Sequence, residues 1–448
     1  MLDIIQRDPR RYLGLLVLMC GVFLWISCTP EDPEKTGTKA QAVTYHEHVR
    51  PILARSCVGC HNSKAIGPFS LTKYEEVKKL SKAIKFAVTS KKMPPWPSDD
   101  KSCAEYKHSM ALSDKEIETI KNWADNDSPE GDPAKYVKPK EDGNVGLPRV
   151  DVVLKMPEPY TPKPAGKSTD DYRCFVLDWK EKENKYITGF QMRPGNDKIV
   201  HHVVVYLAEA KHRDLFHKKD ADEAGPGYTC YGGAGGKGTQ WIAAWAPGKP
   251  GGVYPKGTGI QIKPGSVVIV QLHYNTLKAD PAPDQTAVEF MLEDKVDKQA
   301  FILPIAASDF KIPKNVKEYV YEKILPEKDP KTGKEKGRVN FDLKIYSVSL
   351  HQHLLGTSSK FWVQRADGSK QCLLNIPKWD FNWQYFYDLK KPVLVTTKDF
   401  VGLRCVWDNS PENQAVQDGK RRASKDVTWG DGSTDEMCLA VAYVTLEL

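Results

Sequence analysis

The stretch KIVHHVVVY, residues 198–206, is a run of β-branched residues that carries two adjacent histidines, His201 and His202. β-branched residues are enriched in strands, so the run predicts a strand. Consecutive side chains of a regular strand point to opposite faces. Both histidines can therefore reach one metal ion only where the strand starts or bulges. The alternative for such a pair, taken alone, is one core histidine and one surface histidine.

Three later stretches place further metal-ligating residues at the ends of apolar strands. They are VVIVQLHY (267–274), which contains His273; YSVSLHQH (346–353); and DEMC (435–438), where Met437 opens the last strand. Residues two apart in a strand share a face, so His351 and His353 form a chelating pair. Imidazole suits zinc, copper, iron or nickel, whereas a thioether ligand indicates copper that visits the Cu(I) state.

The 448 residues have the composition of a soluble globular protein and are enough for about three domains. The formal charge of +7 arises from lysines scattered among nearly as many acidic residues. This pattern indicates a solvated surface rather than a patch that binds nucleic acid. No nucleic-acid motif is present, so nucleic acid is not an expected partner.

The amino terminus has the layout of an export signal, with arginines before the apolar run 12–26. It resembles a bacterial lipoprotein signal, in which Cys28 would be the lipidated first residue of the mature chain. Residues 1–28 would then be the signal or anchor, and 29–42 a polar linker. Trp25 stands where that pattern usually has leucine, so an uncleaved anchor is the alternative. Either form predicts a membrane-anchored protein facing the periplasm or the cell surface, in a compartment that permits disulfides.

Residues 43–136 show mostly helical periodicity and contain the sequence CVGCH at 57–61. Cys57 and Cys60 can add to the vinyl groups of one haem while His61 becomes its axial ligand, and C-x-x-C-H is the motif of c-type haem. The competing interpretations are a redox-active or zinc-binding C-x-x-C pair. We therefore predict a small cytochrome c-like domain with one covalent haem.

The predicted sixth ligand of this haem is Met93, because a thioether raises the haem potential and the following Pro-Pro turn would hold it rigidly. Four other residues remain alternatives: Met110, His108, His46 and His48. Residues 113–124 predict a closing helix, with Ser113 as its N-cap and Glu116 three residues later. Residues 137–149 form a polar linker that contains proline and glycine.

From residue 150 onward, short apolar strands alternate with Gly, Pro and Asp turns, which indicates antiparallel β-sandwiches. The order of the ligands divides this body into 150–303 and 304–448. His201, His202 and His273 fall in the first part, and His351, His353 and Met437 fall in the second.

This arrangement resembles the copper type II ascorbate-dependent monooxygenases, which include dopamine beta-monooxygenase and peptidylglycine alpha-hydroxylating monooxygenase. The matching stretches are His201-His202-Val203, Trp245-Ala246-Pro247 with Tyr254-Pro255-Lys256-Gly257, Gln271-Leu272-His273-Tyr274, His351-Gln352-His353 and Asp435-Glu436-Met437-Cys438. The resemblance implies two jelly-roll-like domains, each with one copper, that face each other across a solvent-filled cleft.

The resemblance also implies a role for each copper. The ion on the three histidines would store and pass an electron. The ion on His351, His353 and Met437 would bind dioxygen and hydroxylate a C–H bond of a small-molecule substrate. The reductant would be ascorbate-like or another cytochrome. Tyr172 and Gln271 are expected near the cleft or, alternatively, as packing residues.

The same resemblance implies how four of the cysteines pair. It implies disulfides Cys174–Cys230 and Cys405–Cys438, one in each copper domain. Cys103 and Cys372 have no assigned partner, and we expect buried free thiols for them.

Two features separate this chain from the peptide-amidating enzyme. Ser349 and Val441 occupy the positions of an arginine and a tyrosine that help to hold the peptide carboxylate, so peptidylglycine is not the expected substrate. The fused haem domain predicts that haem could supply electrons one at a time. The alternatives are a non-catalytic redox or copper-binding lipoprotein and a zinc hydrolase that uses His351 and His353.

Overall fold

The computed structural model describes residues 42–63, 67–99, 102–139, 146–166, 168–230, 232–247, 251–276, 279–328, 333, 335–338, 340–417, 420–430 and 432–447. Residues Val43–Leu448 form one compact unit. The predicted signal, with Cys28, lies outside the described residues, as do nearly all of linker 29–42 and part of linker 137–149. In the part of the chain that is described, no helix is both long and apolar enough to cross a bilayer.

A small helical unit forms at residues 45–125. It contains a π-helical turn (Tyr45–Val49), α1 (Arg50–Ser56), α2 (Tyr74–Lys79), α3 (Ser81–Thr89) and α4 (Asp114–Asp125). The apolar faces of these elements share one core, in which Tyr45, Leu53 and Trp123 are almost fully buried. Pro51 is the second residue of α1, directly after the π-helical turn.

The last helix of this unit, α4, starts where its sequence predicts. Ser113 caps the helix: its Oγ accepts a hydrogen bond from the Glu116 N–H at 3.3 Å. The Glu116 carboxylate in turn accepts from the Ser113 N–H at 2.8 Å. This reciprocal capping box satisfies two N–H groups that would otherwise have no helical partner.

The rest of the described chain is mostly β-structure. The strands of the first half are β1 (Val152–Lys155), β2 (Asp170–Asp178), β3 (Lys185–Arg193), β4 (Val200–Ala208), β5 (Tyr228–Thr229), β6 (Thr239–Trp245), β7 (Gly251–Val253), β8 (Thr258–Ile262), β9 (Val267–Asn275) and β10 (Ala287–Glu293). Helix α5 (Arg213–Ala221) follows β4, after a 3-10 turn at Ala210–His212.

The strands of the second half are β11 (Lys298–Ala306), β12 (Lys311–Ile312), β13 (Tyr319–Leu325), β14 (Glu327–Lys328), β15 (Glu335–Lys336), β16 (Asp342–His351), β17 (Gly356–Gln364), β18 (Lys370–Ile376), β19 (Tyr387–Val395), β20 (Phe400–Trp407), β21 (Val416–Gln417), β22 (Lys420–Arg421), β23 (Val427–Thr428) and β24 (Leu439–Glu447). Further 3-10 turns lie at Pro133–Lys135 and Pro411–Asn413.

These strands form layered sheets with two main cores, compatible with the two predicted antiparallel β-sandwiches. A five-stranded sheet, β5-β2-β9-β4-β6, lies in the first half, and a four-stranded sheet, β13-β20-β17-β18, lies in the second. The alternation of inward apolar residues along these strands buries one core in each half.

A longer sheet joins the halves. Its order is β1-β10-β3-β8-β11-β24-β16-β19, and the junction is the parallel pairing of β8 with β11. The predicted boundary between Leu303 and Pro304 falls inside β11, which pairs along Ala300–Ala306 with the last strand, β24. Leu439 and Tyr443 of β24 pack in the core of the first half. The halves are therefore held together by sheet pairing as well as by side-chain packing.

Residues 96–99 and 102–110, here called the strap, leave the helical unit and pack on the second β half. The Lys107 N–H donates to the Asp388 carbonyl at 2.7 Å, and the Lys390 N–H donates to the Glu105 carbonyl at 2.9 Å. These bonds extend the edge of β19. Tyr106 of the strap is 3% exposed and lies in the core of the second half.

The structure contains three disulfides. Cys174–Cys230 and Cys405–Cys438 are the bridges that the family resemblance implied. Cys103–Cys372 is a third. The expectation of buried free thiols for Cys103 and Cys372 is therefore wrong. The strap carries Cys103 alongside β18, and this brings together two residues 269 positions apart in the sequence.

Candidate metal centre

The first group of predicted ligands comes together where β4 meets β9. His202 lies opposite His273 in the strand pairing, and the register shifts between Val200 and His202. This irregularity is the bulge that two adjacent histidines require in order to face one point. The Nδ1 atoms of His201 and His273 each lie 3.2 Å from Nδ1 of His202. The three histidines thus offer ligand atoms within 4.8 Å of one another.

The orientation of His273 is fixed by neighbours on β2 and β9. Its Nε2 lies 2.9 Å from Oδ1 of Asp170, which also accepts a hydrogen bond from the Asn275 amide at 2.7 Å. Burial alone would raise the pKa of Asp170, but the hydrogen bonds from His273 and Asn275 lower it to about 2. The ring of Tyr172 stacks on that of His273, with centroids 4.2 Å apart. These contacts leave Nδ1 of His273 directed at the other two histidines.

The environment keeps His202 uncharged. Burial lowers the pKa of His202 well below its ordinary value, and the neighbouring histidines, His273 first, lower it further. A neutral imidazole is the form that binds a metal ion. The cluster is therefore suited to hold a cation rather than protons.

The second group of predicted ligands lies at the end of β16. His351 is the last residue of that strand and His353 follows two residues later, with ring centroids 5.0 Å apart. The Nδ1 atom of His351 is hydrogen-bonded to Oε1 of Gln384, and Nδ1 of His353 lies 3.1 Å from the Asp435 carbonyl. Both contacts leave Nε2 as the ring nitrogen for a metal ion.

Burial also keeps this pair neutral. It lowers the pKa of His351 to about 4 and that of His353 to about 3. Met437 lies two residues before β24 and lines the same cavity as the two histidines. The structure thus places the imidazole and thioether groups of the second set on the wall of one cavity.

Glu436 is a residue of this centre to which sequence reasoning gave no role. It is fully buried. Its carboxylate accepts hydrogen bonds from the backbone N–H groups of His353 (2.9 Å), Leu355 (2.7 Å) and Met437 (3.3 Å) and from the Trp407 indole N–H (2.7 Å). Burial raises the pKa of Glu436 to about 8, against the lowering effect of these donors. Its sequence signals were its place in the matching stretch Asp435-Glu436-Met437-Cys438 and its position just before an apolar strand.

The two ligand sets lie next to each other. The rings of His202 and His351 have centroids 6.5 Å apart. Phe381 stacks on His201 at 5.1 Å and contacts His353 edge-to-face at 6.2 Å. At this point the two sets are adjacent rather than separated by the expected solvent-filled cleft. The shared sheet and the packing of β24 against the first core bring the two halves together.

Comparison with protein families agrees with this geometry. Residues 155–281 match the N-terminal domain of the copper type II ascorbate-dependent monooxygenases, and residues 303–445 match the C-terminal domain. The chain belongs to this family. The two matched domains together cover more than half of the chain, and each contains one of the two ligand sets.

Solved structures show only a remote likeness to this monooxygenase. The major capsid protein P2 from Bacteriophage PM2 is 8% identical, with a TM-score of 0.25, over 66% of this chain and 98% of that chain. The Cowpea mosaic virus top component is 9% identical, also with a TM-score of 0.25, over 64% of this chain and 92% of that chain. No match is found among curated proteins.

A cavity of about 420 Å³ lies between the halves of the monooxygenase. Its wall includes His202, His351, His353 and Met437, and also Tyr172 and Gln271, which sequence reasoning left between the cleft and packing. Ser349 and Val441, which stand where the peptide-amidating enzyme has its arginine and tyrosine, also line it. A cavity of this volume is in the range that holds a small organic molecule.

The C-x-x-C-H stretch forms a tight turn after α1. The backbone N–H groups of Cys60 and His61 both donate to the Cys57 carbonyl, at 3.1 Å and 2.9 Å. Cys57 and Cys60 are thiols rather than a disulfide. Nδ1 of His61 lies 3.3 Å from the Phe69 carbonyl, and the two rings stack with centroids 4.7 Å apart. This contact leaves Nε2 of His61 as the ring nitrogen that could bind a metal ion.

The candidates for the sixth ligand of the predicted haem lie in different surroundings. His46 contacts Glu130 at 3.3 Å, and Nδ1 of His48 accepts a hydrogen bond from the Thr44 N–H at 3.1 Å. Met110 is buried in the core of the second β half, and His108 lines the cavity. Met93 lies half-buried in the turn after α3.

Proposed function

We propose that this monooxygenase uses dioxygen to hydroxylate a C–H bond of a small molecule bound in the cavity. The observation that carries the proposal is the presence of two separate ligand sets, one with a thioether, at a single cavity. Copper, when bound, would supply the one-electron chemistry and the dioxygen reactivity. The chain supplies the ligands, their orientation and the cavity that both sets line.

Each ligand set would hold one copper through defined atoms. In the first set, Nδ1 of His273 is the free ring nitrogen because Nε2 is hydrogen-bonded to Asp170. In the second set, Nε2 of His351 and of His353 are free because Gln384 and the Asp435 carbonyl bind their Nδ1 atoms. The softer thioether of Met437 favours Cu(I) at the second set, which is the catalytic one in this proposal.

We further propose that the helical unit binds one c-type haem through Cys57, Cys60 and His61, with Met93 as the sixth ligand. The hydrogen bond from His61 to the Phe69 carbonyl supports the first part, because axial histidines are commonly oriented through their second ring nitrogen. His46 and His48 already have hydrogen-bond partners, His108 lies on the cavity wall and Met110 lies in the core of the second half, which favours Met93.

The haem would supply the electrons. Trp96 of the strap packs against Tyr387 at 4.8 Å and stacks on Tyr385 at 6.2 Å. Trp96 lies three residues after Met93, the proposed sixth ligand, so its contact with Tyr385 joins the haem-binding unit to the second half. Tyr385 also lines the cavity, next in sequence to Gln384. An electron could therefore pass from the haem edge through Tyr385 and Gln384 to His351.

The proposed location is outside the cytoplasm, anchored to the membrane through lipid on Cys28 or an uncleaved signal. The three disulfides support an oxidising compartment. Incorporation of labelled fatty acid that is lost in Cys28→Ser would support the lipid form. Anchoring that persists without the label would favour the uncleaved signal.

The experiment that tests the function measures copper, zinc and haem in the purified chain, followed by oxygen uptake with a reductant and candidate substrates. We expect two coppers and one covalent haem per chain, with uptake coupled to a hydroxylated product. Met437→Ala should abolish turnover and keep the haem and the first copper. Two coppers without coupled uptake would leave a non-catalytic redox or copper-binding protein, and zinc in their place would favour a hydrolase.

A further inference from the structure

We propose that Asp284 is a positioning residue for the first ligand set. Its buried carboxylate joins the turn before His201 and His202 to the strand that carries His273. The inference rests on the proposal that these histidines hold copper, and it concerns a residue outside the ligand set. Its test therefore measures copper binding rather than turnover.

Asp284 is held in a fixed, buried place in the chain between β9 and β10. It is 1% exposed. Its backbone N–H donates to the Tyr160 carbonyl at 2.9 Å, and the Tyr160 N–H donates to the Asp284 carbonyl at 2.8 Å. The hydrogen bonds that its carboxylate accepts come from neutral backbone N–H and hydroxyl groups. A buried carboxylate held by neutral donors depends on each of them, because water does not replace a lost partner.

The first donors belong to the turn that leads into β4. Oδ1 of Asp284 accepts a hydrogen bond from the Asn196 N–H at 2.8 Å, and the Gly195 N–H also donates to the carboxylate. The Asn196 carbonyl accepts in turn from the Val200 N–H at 3.2 Å. Val200 is the first residue of β4 and directly precedes His201. The carboxylate thus fixes the backbone from which the two adjacent histidines start.

The close approach of this turn requires a glycine. A Cβ atom at Gly195 would lie 2.4 Å from the backbone nitrogen of Gln285 and 2.9 Å from Oδ1 of Asp284. Side chains do not tolerate such short contacts with backbone atoms. Glycine therefore lets the turn reach the carboxylate, as it does wherever two backbones approach closely.

A further donor comes from β9. Tyr274 is fully buried, and its hydroxyl donates to Oδ2 of Asp284 at 2.9 Å. Tyr274 follows His273, and consecutive side chains of a strand point to opposite faces. The hydrogen bond therefore fixes the rotation of β9 at His273 from the face opposite the ligand set. The Thr286 hydroxyl, which donates to Oδ2 at 2.8 Å, supports the carboxylate as well.

The bulge in β4 explains why such a link is needed. The pairing of β4 with β9 shifts in register between Val200 and His202, so the strand ladder is disrupted where the ligands must be held. One carboxylate that binds both the turn before β4 and Tyr274 of β9 supplies the missing support. Glu436 has the same relation to the backbone of the second set.

The test measures the affinity of the first set for Cu(I) by competition with bicinchoninate. Full-length chains that also carry His351→Ala are used, so that the second set lacks a ligand and the tightest copper reports the first. Tyr274→Phe removes one donor to Asp284 and keeps the ring. Its affinity for Cu(I) should fall about tenfold, and that of Asp284→Asn up to about 100-fold. The Cu(II) electron paramagnetic resonance signal should shift in both, which lost stability alone does not produce.

Tyr228→Phe is the matched control from the same sheet. Tyr228 is similarly buried, and its hydroxyl donates to the Ala234 carbonyl at 2.6 Å, away from the ligand set. Tyr228→Phe and Tyr274→Phe should each lower the melting temperature of the copper-free chain by about 2–4 °C. Only Tyr274→Phe should lose copper affinity. Unchanged affinity in Tyr274→Phe, or an equal loss in Tyr228→Phe, would overturn the assignment, and this pair decides the question even if Asp284→Asn does not fold.

The inference and the proposed function fail in different ways. Copper bound at the first set with the same affinity in every variant would contradict only the role of Asp284. A chain that holds no copper there would contradict the proposed function and the inference with it. Loss of affinity in Tyr274→Phe, together with oxygen uptake that is never coupled to a hydroxylated product when both sets are intact, would keep the role of Asp284 and contradict the monooxygenase proposal.

Discussion

The imidazole rings of His202 and His351 lie with their centroids 6.5 Å apart, although each belongs to a different ligand set and a different half of the fold. The continuous sheet across β8 and β11 provides a fixed frame for this approach. An electron that moves from one copper to the other would therefore travel between adjacent imidazoles rather than across an open cleft.

Asp170 is expected to control copper affinity at the first set only. It orients His273 through a 2.9 Å contact to Nε2. In Asp170→Ala, this orientation is lost, and copper affinity at the first set should fall about 10- to 100-fold. Competition with a chelator, followed by electron paramagnetic resonance, distinguishes the two coppers.

Asp178→Ala is the control for that variant, because Asp178 ends the same strand and contacts Arg213 and His217 instead. It should leave both copper affinities unchanged. Equal loss of copper from both sets in Asp170→Ala would mean that the substitution disturbs the fold rather than one ligand.

The Cys103–Cys372 bridge is expected to hold the strap on the second β half. Removing it with Cys103→Ser or Cys372→Ser should lower the free energy of unfolding by about 2–5 kcal/mol. The strap should also become more accessible to protease, although edge hydrogen bonds and the packing of Trp96, Tyr106 and Met110 still hold it. Denaturation curves and timed proteolysis measure the two effects.

The double variant provides the check on this prediction. If the bridge alone is responsible, Cys103→Ser with Cys372→Ser should be no less stable than either single variant. Additive losses would show that each cysteine acts through its own packing. Haem content should stay constant in all three, since the helical core is separate from the strap.

Tyr385 is expected to affect the rate of electron transfer rather than the binding of either cofactor. In Tyr385→Leu, the aromatic contact between Trp96 and the cavity wall is lost, and oxidation of the reduced haem by copper should slow about tenfold or more. Tyr385→Phe keeps the ring and removes a hydroxyl that has no hydrogen-bond partner among the described residues, so it should change the rate little. Stopped-flow absorbance of the haem measures both rates.

Tyr186→Leu serves as the remote control, because Tyr186 lies on β3 and is absent from the cavity wall. Its haem oxidation rate should equal that of the unmodified chain. A normal rate in Tyr385→Leu would exclude this residue from the electron path.

The local features of the centre could be predicted from the sequence. The β-branched run around His201 and His202 predicted a strand, and two adjacent histidines predicted an irregularity that the structure has between Val200 and His202. The Ser113 and Glu116 pair likewise predicted the start of α4. Each of these follows from interactions within a few residues or from the two-residue period of a strand.

The features that depend on distant contacts could not be predicted. The pairing of Cys103 with Cys372 requires the path of the strap, which no spacing of cysteines specifies. The closeness of the two ligand sets depends on the parallel pairing of β8 with β11. The role of Glu436 depends on donors from the segment after β16, His353 and Leu355, and from Trp407 at the end of β20, which are distant in the sequence.

Glu436 is expected to stabilise the second ligand set as a structural acceptor. In Glu436→Ala, four N–H donors lose their partner in a fully buried position, and the free energy of unfolding should fall by about 3 kcal/mol or more. Glu436→Gln keeps the shape but turns an amide N–H₂ towards those donors, so it should also destabilise, to a smaller extent. Both variants should lose copper from the second set and keep it at the first, as seen by electron paramagnetic resonance. Glu412→Gln, at an exposed position in the same half, is the control and should match the unmodified chain. Full copper occupancy and unchanged stability in Glu436→Ala would contradict the role, because the backbone of His353 and Met437 would then be held without the carboxylate.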